Sequence, residues 1–224
     1  ILLAMLAGLL AATLLGALNG ALIAQFKIQP IIVTLVLYIA GRGVAQLMSN
    51  GTTLVFYNTP FNDLGVMRLF GQMPLQLLLE IIFVAVFALL LKKTTFGYYV
   101  QGIGENEKAA TLSGIRTKMV LIAVYAISGF MAGCAGLMTS ARACCADPNT
   151  LGSLAEMDAI AAVAIGGTSM SGGKARIMGT VFGALIIQLI TMTINMNNIH
   201  YAYARILKGL IIVIAVYVQR EKKR

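Results

Sequence analysis

The sequence predicts an all-α, polytopic transmembrane helix bundle, with about six full spans plus one short helix broken by glycine. Three observations predict it. Hydrophobic residues make up 59% of the 224 positions and charged residues only 11%, whereas ordinary globular chains are about 45–50% apolar and about 25% charged. The mean hydropathy is +0.87, more apolar surface than a water-soluble fold of this length can hide. The basic residues also stand at the ends of apolar runs: Lys92 with Lys93, Lys108, Arg116 with Lys118, Lys174 with Arg176, and 220–224. Cytoplasmic loops of membrane proteins are enriched in Lys and Arg in this way.

A spanning helix needs about 20 mostly apolar residues. The first run covers 1–26. It starts inside apolar sequence at Ile1 with no basic leader, so an upstream portion is expected. The second opens at Pro30 and continues to Met48; proline suits the first helical position, where its absent N–H has no partner to lose. The third follows Pro74 and ends near Leu91. The fourth covers 119–140, the fifth 154–170, the sixth 177–196 and the last 203–218. If all seven cross and the basic tail is cytoplasmic, Lys27, 92–118 and 172–176 fall inside. The stretches 49–72, 144–152 and 197–201 then fall outside, and the outer side carries only Arg68 and, just before 144, Arg142. The positive-inside bias thus agrees with the segment count.

The fifth segment is irregular. Ser153-Leu-Ala-Glu156 reads as a capping box, and uninterrupted helix lasts only to Gly166-Gly167. That is about 12 residues, or about 18 Å at 1.5 Å per residue, against a hydrocarbon core about 30 Å thick. The chain must therefore break through the glycine-rich stretch 166–173. Irregular backbone at membrane depth survives only inside protein or beside a wet cavity, and broken helices are frequent substrate sites in transporters. Three G-x-x-x-G pairs, Gly16/Gly20, Gly129/Gly133 and Gly179/Gly183, predict close helix packing.

The longest inner loop, 92–118, contains Gly104-Glu-Asn-Glu-Lys-Ala-Ala-Thr-Leu-Ser-Gly114. Asn106 suits an N-cap, Glu107 the positive end of a helix and Gly114 a C′ position. They predict a surface helix of about two turns bearing the small Ala109 and Ala110. It is a capped connector or a docking knob.

Nucleotide motifs fail. Gly167–Lys174 resembles a P-loop, but its spacing differs and Ala175 stands where Ser or Thr would hold Mg²⁺. Gly102-Ile-Gly104 lacks the third glycine of a dinucleotide fingerprint. A net charge of +9 without basic stretches interleaved with aromatics excludes nucleic-acid binding. One histidine, His200, and three cysteines, Cys134, Cys144 and Cys145, give no metal-ligand spacing.

Ionisable and polar groups within apolar segments are costly and mark candidate function. Those on the expected translocation path are Asn19, Arg42, Asp158 and Asn195, joined by Gly166 and Gly167 of the broken stretch. Structural alternatives stand beside them: Arg42 could pair with Glu80, Asp158 could compensate a helix dipole, the two asparagines could join helices, and Arg205 and Lys208 could snorkel. No Ser/His/Asp or paired-carboxylate constellation is present, so the chain is not read as an enzyme.

Glu156-Met-Asp-Ala-Ile-Ala-Ala-Val-Ala-Ile-Gly-Gly-Thr-Ser-Met-Ser-Gly-Gly173 resembles a signature of the ribose-type sugar permeases of ATP-binding-cassette (ABC) importers, within the branched-chain amino acid/ribose permease superfamily. The Gly104–Gly114 segment is similar to that family's Gly-x-Asn-x-x-Ala-Ala-x-x-Ser-Gly pattern. Asn19-Gly20, Lys27-Ile-Gln-Pro-Ile-Ile-Val-Thr-Leu35 and Ala40-Gly-Arg-Gly-Val-Ala-Gln-Leu47 look most like the galactofuranose branch. The resemblance covers nearly the whole chain. It implies one transmembrane permease domain over 1–224, in a bacterial cytoplasmic (inner) membrane, with its C-terminus cytoplasmic and 92–118 as a cytoplasmic coupling loop. Gly104, Glu105, Asn106, Glu107, Ala109, Ala110 and Gly114 would then belong to the surface that docks an ATPase.

The implied partners are a second permease copy, cytoplasmic ATP-binding subunits, a periplasmic sugar-binding protein and the lipid bilayer. No cofactor is expected in this chain, because ATP and Mg²⁺ would be bound by the partner ATPase. The family's earlier Gly-Gly-Ile-Asp-Leu-Ser-Val-Gly segment does not occur here, so this is read as the later part of such a permease. The cargo would be a pentose or hexose, possibly galactofuranose. The alternatives are an ABC permease for branched-chain amino acids, or a secondary transporter.

Overall fold

The computed structural model describes residues 1–57, 59–69, 73–169, 172–197 and, further on, 203, 206, 209–211 and 213. Nine helices carry nearly all the described regular structure: α1 (Leu2–Phe26), α2 (Pro30–Met48), α3 (Thr59–Val66), α4 (Leu75–Lys93), α5 (Thr95–Glu105), α6 (Glu107–Leu112), α7 (Thr117–Ala143), α8 (Ala155–Ile165) and α9 (Ile177–Met196). Five are long and apolar enough to span a bilayer: α1, α2, α4, α7 and α9. They coincide with the first, second, third, fourth and sixth apolar runs. The expected last segment, with Arg205, Lys208 and the basic tail, lies mostly outside the described residues, as does His200.

The elements end where local chemistry stops them. Lys27 closes α1 in a left-handed conformation (φ 53°), its N–H bonding the Ile23 carbonyl, and Pro30 opens α2 three residues later. Extended backbone at Thr94 ends α4 after Lys92 and Lys93. Helix α4 has no buried residue, as expected where lipid is the solvent for an apolar helix. The chain forms two units, one of 1–100 with 108–152 and the other of 101–107 with 153–224.

In the first unit α1 lies along α7. A Cβ on Gly16 would strike the Tyr125 carbonyl and come within 3.0 Å of Gly129 Cα, and one on Gly20 would lie 2.8 Å from Ile122 Cα. Gly133 faces Ala12 Cβ at 2.9 Å. The two G-x-x-x-G pairs therefore face one another, and backbone approaches backbone as small residues permit.

Short strands join the loops of this unit. β1 (Leu54–Val55) pairs antiparallel with β4 (Cys145–Ala146), Leu54 opposite Ala146 and Val55 opposite Cys145. β2 (Arg68–Leu69) pairs with β3 (Met73–Pro74). The charge pattern had placed 49–72 and 144–152 on one side of the membrane, and the β1–β4 ladder joins them there.

In the second unit the short α8 packs on α9. A Cβ on Gly183 would collide with the Ala162 carbonyl, and one on Gly166 would sit 2.5 Å from the backbone of Gly179. The third G-x-x-x-G pair thus seats the broken helix. Ala161, Ala162 and Ala164 are buried there.

Candidate functional site

The glycine-broken helix is built as its sequence requires at one end and differently at the other. Helix α8 has 11 residues and stops in a Schellman motif. Gly167, at φ 77°, donates to the Ala164 carbonyl, and Thr168 donates to the Val163 carbonyl. This 5→2 and 6→1 pattern needs a residue that tolerates the left-handed region, which explains Gly167. Arg176 N–H donates to Thr168 Oγ1 at 3.0 Å, closing the turn before α9.

The N-terminal end corrects the expected capping box. Leu154, not Ser153, holds the N-cap position, with φ 65° and no side-chain cap bond. A capping Ser needs extended backbone immediately before the helix. With Leu154 left-handed, Ser153 is one residue too early and Glu156 becomes the second helical residue rather than the third. Glu156 and Asp158 still fall in the first turn, where carboxylates offset the exposed N–H groups. Asp158 is half-buried.

The residues expected in a coupling loop divide between two helices. Gly104 and Glu105 end α5, an 11-residue helix absent from the sequence expectation. Asn106 follows, and α6 begins at Glu107. The expected two-turn helix is therefore present, six residues long. Its end is a second Schellman motif: Gly114 (φ 83°) donates to the Thr111 carbonyl and Ile115 to the Ala110 carbonyl. Ala110 is buried while Ala109 is exposed, and Leu112 is 89% exposed.

Of the expected path residues, Asn19 is buried in α1, and its Oδ1 has no hydrogen-bond partner. Arg42 borders a cavity of about 430 Å³ lined also by Leu15, Tyr38, Gly41, Pro148 and Leu151. Its partners are carbonyls, not Glu80: Nη1 donates to Asn149 O at 2.6 Å and to Pro148 O at 3.2 Å. The guanidinium also lies 5.2 Å from the Tyr38 ring centre, within cation–π range. Gln46 Nε2 donates to Asn149 Oδ1, and Asn149 Nδ2 donates to the Gly51 carbonyl. The end of α2 is thus clasped to 147–152, a contact between distant stretches that no local pattern announces. Asn195 lies in α9, with its side chain outside the described residues. Asn19 and Arg42 belong to the first unit, and Asp158, Gly166 and Gly167 to the second.

Beside the clasp, Asp147 accepts hydrogen bonds from the Thr150 hydroxyl and from Asn149 N–H, the latter at 2.8 Å. These bonds, the hydroxyl's foremost, hold the Asp147 carboxyl below its usual range. Cys144 and Cys145 carry free thiols.

Comparison with known proteins matches residues 1–216 to a family described as branched-chain amino acid transport system / permease component. A ribose import permease protein of Haemophilus influenzae is 39% identical over 215 residues, covering 93% of this chain and 65% of that protein. A ribose import permease protein of Escherichia coli K12 is 36% identical over 229 residues, covering 99% and 70%. A galactofuranose transporter permease protein of the same strain is 34% identical over 209 residues, covering 93% and 61%. The chain thus spans about two thirds of the length of these curated relatives. No solved structure matches. With a family match over almost every residue and apolar helices of spanning length, the chain is a multi-pass membrane protein and belongs to the branched-chain amino acid transport system permease family.

Proposed function

We propose that this chain forms the later part of the membrane permease of an ABC importer that carries a monosaccharide across the bacterial cytoplasmic membrane. The observation that carries the reading is the naming of its relatives. At 34–39% identity they are permeases for ribose, galactofuranose, fructose and L-arabinose. Pentoses and hexoses share a size and a hydroxyl-rich surface, so the cargo class is a free monosaccharide.

In this reading the tail is cytoplasmic, the last apolar run crosses as a sixth full span, and α8 breaks within the membrane. Helix α6 presents Ala109 and Leu112 to an ATP-binding subunit, which holds the ATP and Mg²⁺. A second permease copy and a periplasmic sugar-binding protein complete the transporter. Asn19, Arg42, Asp158, Gly166, Gly167 and Asn195 border the sugar path.

Uptake of radiolabelled ribose and leucine by the assembled transporter tests the cargo. Ribose uptake that stops on ATP depletion is expected. Leucine uptake in its place would move the chain to the amino-acid branch, and uptake that follows the proton gradient and survives ATP depletion would make it a secondary transporter. Leu112→Glu should abolish co-purification with the ATPase, whereas unchanged assembly would remove α6 from the docking surface.

A further inference from the structure

Two stretches distant in sequence meet within the second unit with no side chain between them. A Cβ on Gly104, near the end of α5, would lie 2.8 Å from Gly173 N and 3.6 Å from Gly173 Cα. Reciprocally, a Cβ on Gly172 would run into the Gly104 carbonyl and stand 3.0 Å from its carbon. Gly172 and Gly173 have φ of 95° and 96°, a region that side-chain-bearing residues rarely enter. The contact therefore needs all three glycines: one for closeness, two for closeness or backbone shape. Gly102, two residues earlier on the same helix, has nothing within 4 Å of where its Cβ would stand.

The 172–173 turn leads directly into structure of the same kind. Thr168 Oγ1 closes it through Arg176 N–H, and Gly166 then meets Gly179, and Ala162 meets Gly183, again through backbone. From the end of α5 to the α8–α9 pair, displacement would pass through peptide groups. Side chains can change rotamer and absorb a small shift, but closely packed backbone transmits it. Small shifts at one site become large changes elsewhere only through such stiff elements.

We propose that Gly104 is the transmission point between the ATPase-docking loop and the glycine-broken helix, a positioning residue that couples ATP hydrolysis to the sugar path. The proposal rests on the permease reading above. It takes Gly104 off the docking surface that the family resemblance implied and assigns separate jobs within one loop: α6 docks the partner, and the end of α5 delivers the push.

The test is Gly104→Ala against Gly102→Ala in the complete transporter. Co-purified ATPase subunit, ATP hydrolysis and radiolabelled ribose uptake are measured together. Gly104→Ala should keep the ATPase bound and hydrolysing while uptake per ATP falls roughly 5- to 30-fold, the range of ordinary coupling energies. Gly102→Ala should match the unmodified protein in all three. Hydrogen exchange adds a readout for folding: Gly104→Ala should speed exchange in 166–176 and leave α7 unchanged. Uptake per ATP within about twofold of normal, less than typical coupling effects, would overturn the inference alone. So would an equal loss in Gly102→Ala, or faster exchange throughout α7. An unmodified transporter that neither binds an ATPase nor takes up sugar would overturn the permease reading, and this inference with it.

Discussion

The α1–α7 and α8–α9 pairs solve the same packing problem with different materials. Both rely on glycines that let backbones touch. In the first pair two helices of 25 and 27 residues run past one another, and each contributes a G-x-x-x-G. In the second, a 20-residue helix carries the motif and faces an 11-residue helix ending at a glycine turn. Long helices keep their hydrogen bonds within themselves, so the first pair can lose a contact and remain helical. The short helix has few internal bonds, and helices below about 12–15 residues are marginal without tertiary packing. The lesson is that glycine seams fasten α1 to α7 but define whether α8 is a helix at all.

Substitutions can break or sharpen that contrast. The largest effect is expected for Gly129→Leu, which places a branched side chain against the Ala12 carbonyl and Gly16 Cα. Overpacking costs about 1–3 kcal/mol and more where backbone blocks relaxation, and folded yield and thermal midpoint in detergent should both fall sharply. Gly183→Ala adds one carbon against the Ala162 carbonyl and should cost about 1–3 kcal/mol. If the contrast holds, its exchange acceleration is confined to α8 and α9; equal acceleration in α1 would show one cooperative body instead.

Arg42→Ala removes two hydrogen bonds from a charged donor, each worth about 1.5–3 kcal/mol at most. Its expected signature is faster proteolysis within 147–152 with α8 unaffected. Gly114→Ala forces a Cβ into φ 83° and should lower stability by about 1–2 kcal/mol, fraying α6 while both pairs persist.

The smallest effect concerns pH. The Asp147 carboxyl is held low by Thr150 and Asn149, so its folded-state pKa lies below the unfolded value. The stabilisation is present above the unfolded pKa and is lost as pH falls through the folded one. Thr150→Val should move Asp147 upward toward its ordinary value, which carboxyl ¹³C titration reads directly. An unchanged midpoint would show that the backbone N–H alone sets it.

The parts of this fold that were legible share one property: their signal is local. Pro30, the Lys92–Lys93 pair and Gly166-Gly167 stop or start helices by their own chemistry, and α2, α4 and α8 begin or end beside them. The same is true of α6, whose cap at Gly114 needs only neighbours in sequence. What stayed hidden depends on distant partners or on one backbone angle. The β1–β4 ladder is two residues long on each side, too short to show alternation. The Arg42 clasp joins α2 to carbonyls more than a hundred positions away, and carbonyls belong to every residue type. The capping box failed because Leu154 takes a left-handed conformation, which a leucine gives no reason to expect. For the residues expected to dock an ATPase, the motif located α6 and its glycine cap, but nothing in it separated buried Ala110 from exposed Ala109.

The α1–α7 seam joins the beginning of the chain to its second half, and neither helix needs the intervening loop to stay helical. Apolar helices of this length can insert singly and associate afterwards. The covalent link between 57 and 59 is then dispensable for recognition between the parts. Two separately made pieces, one ending near residue 57 and one starting near residue 59, should find each other in the membrane and assemble. The protein is in this sense a pair of self-matching fragments that happen to share one message.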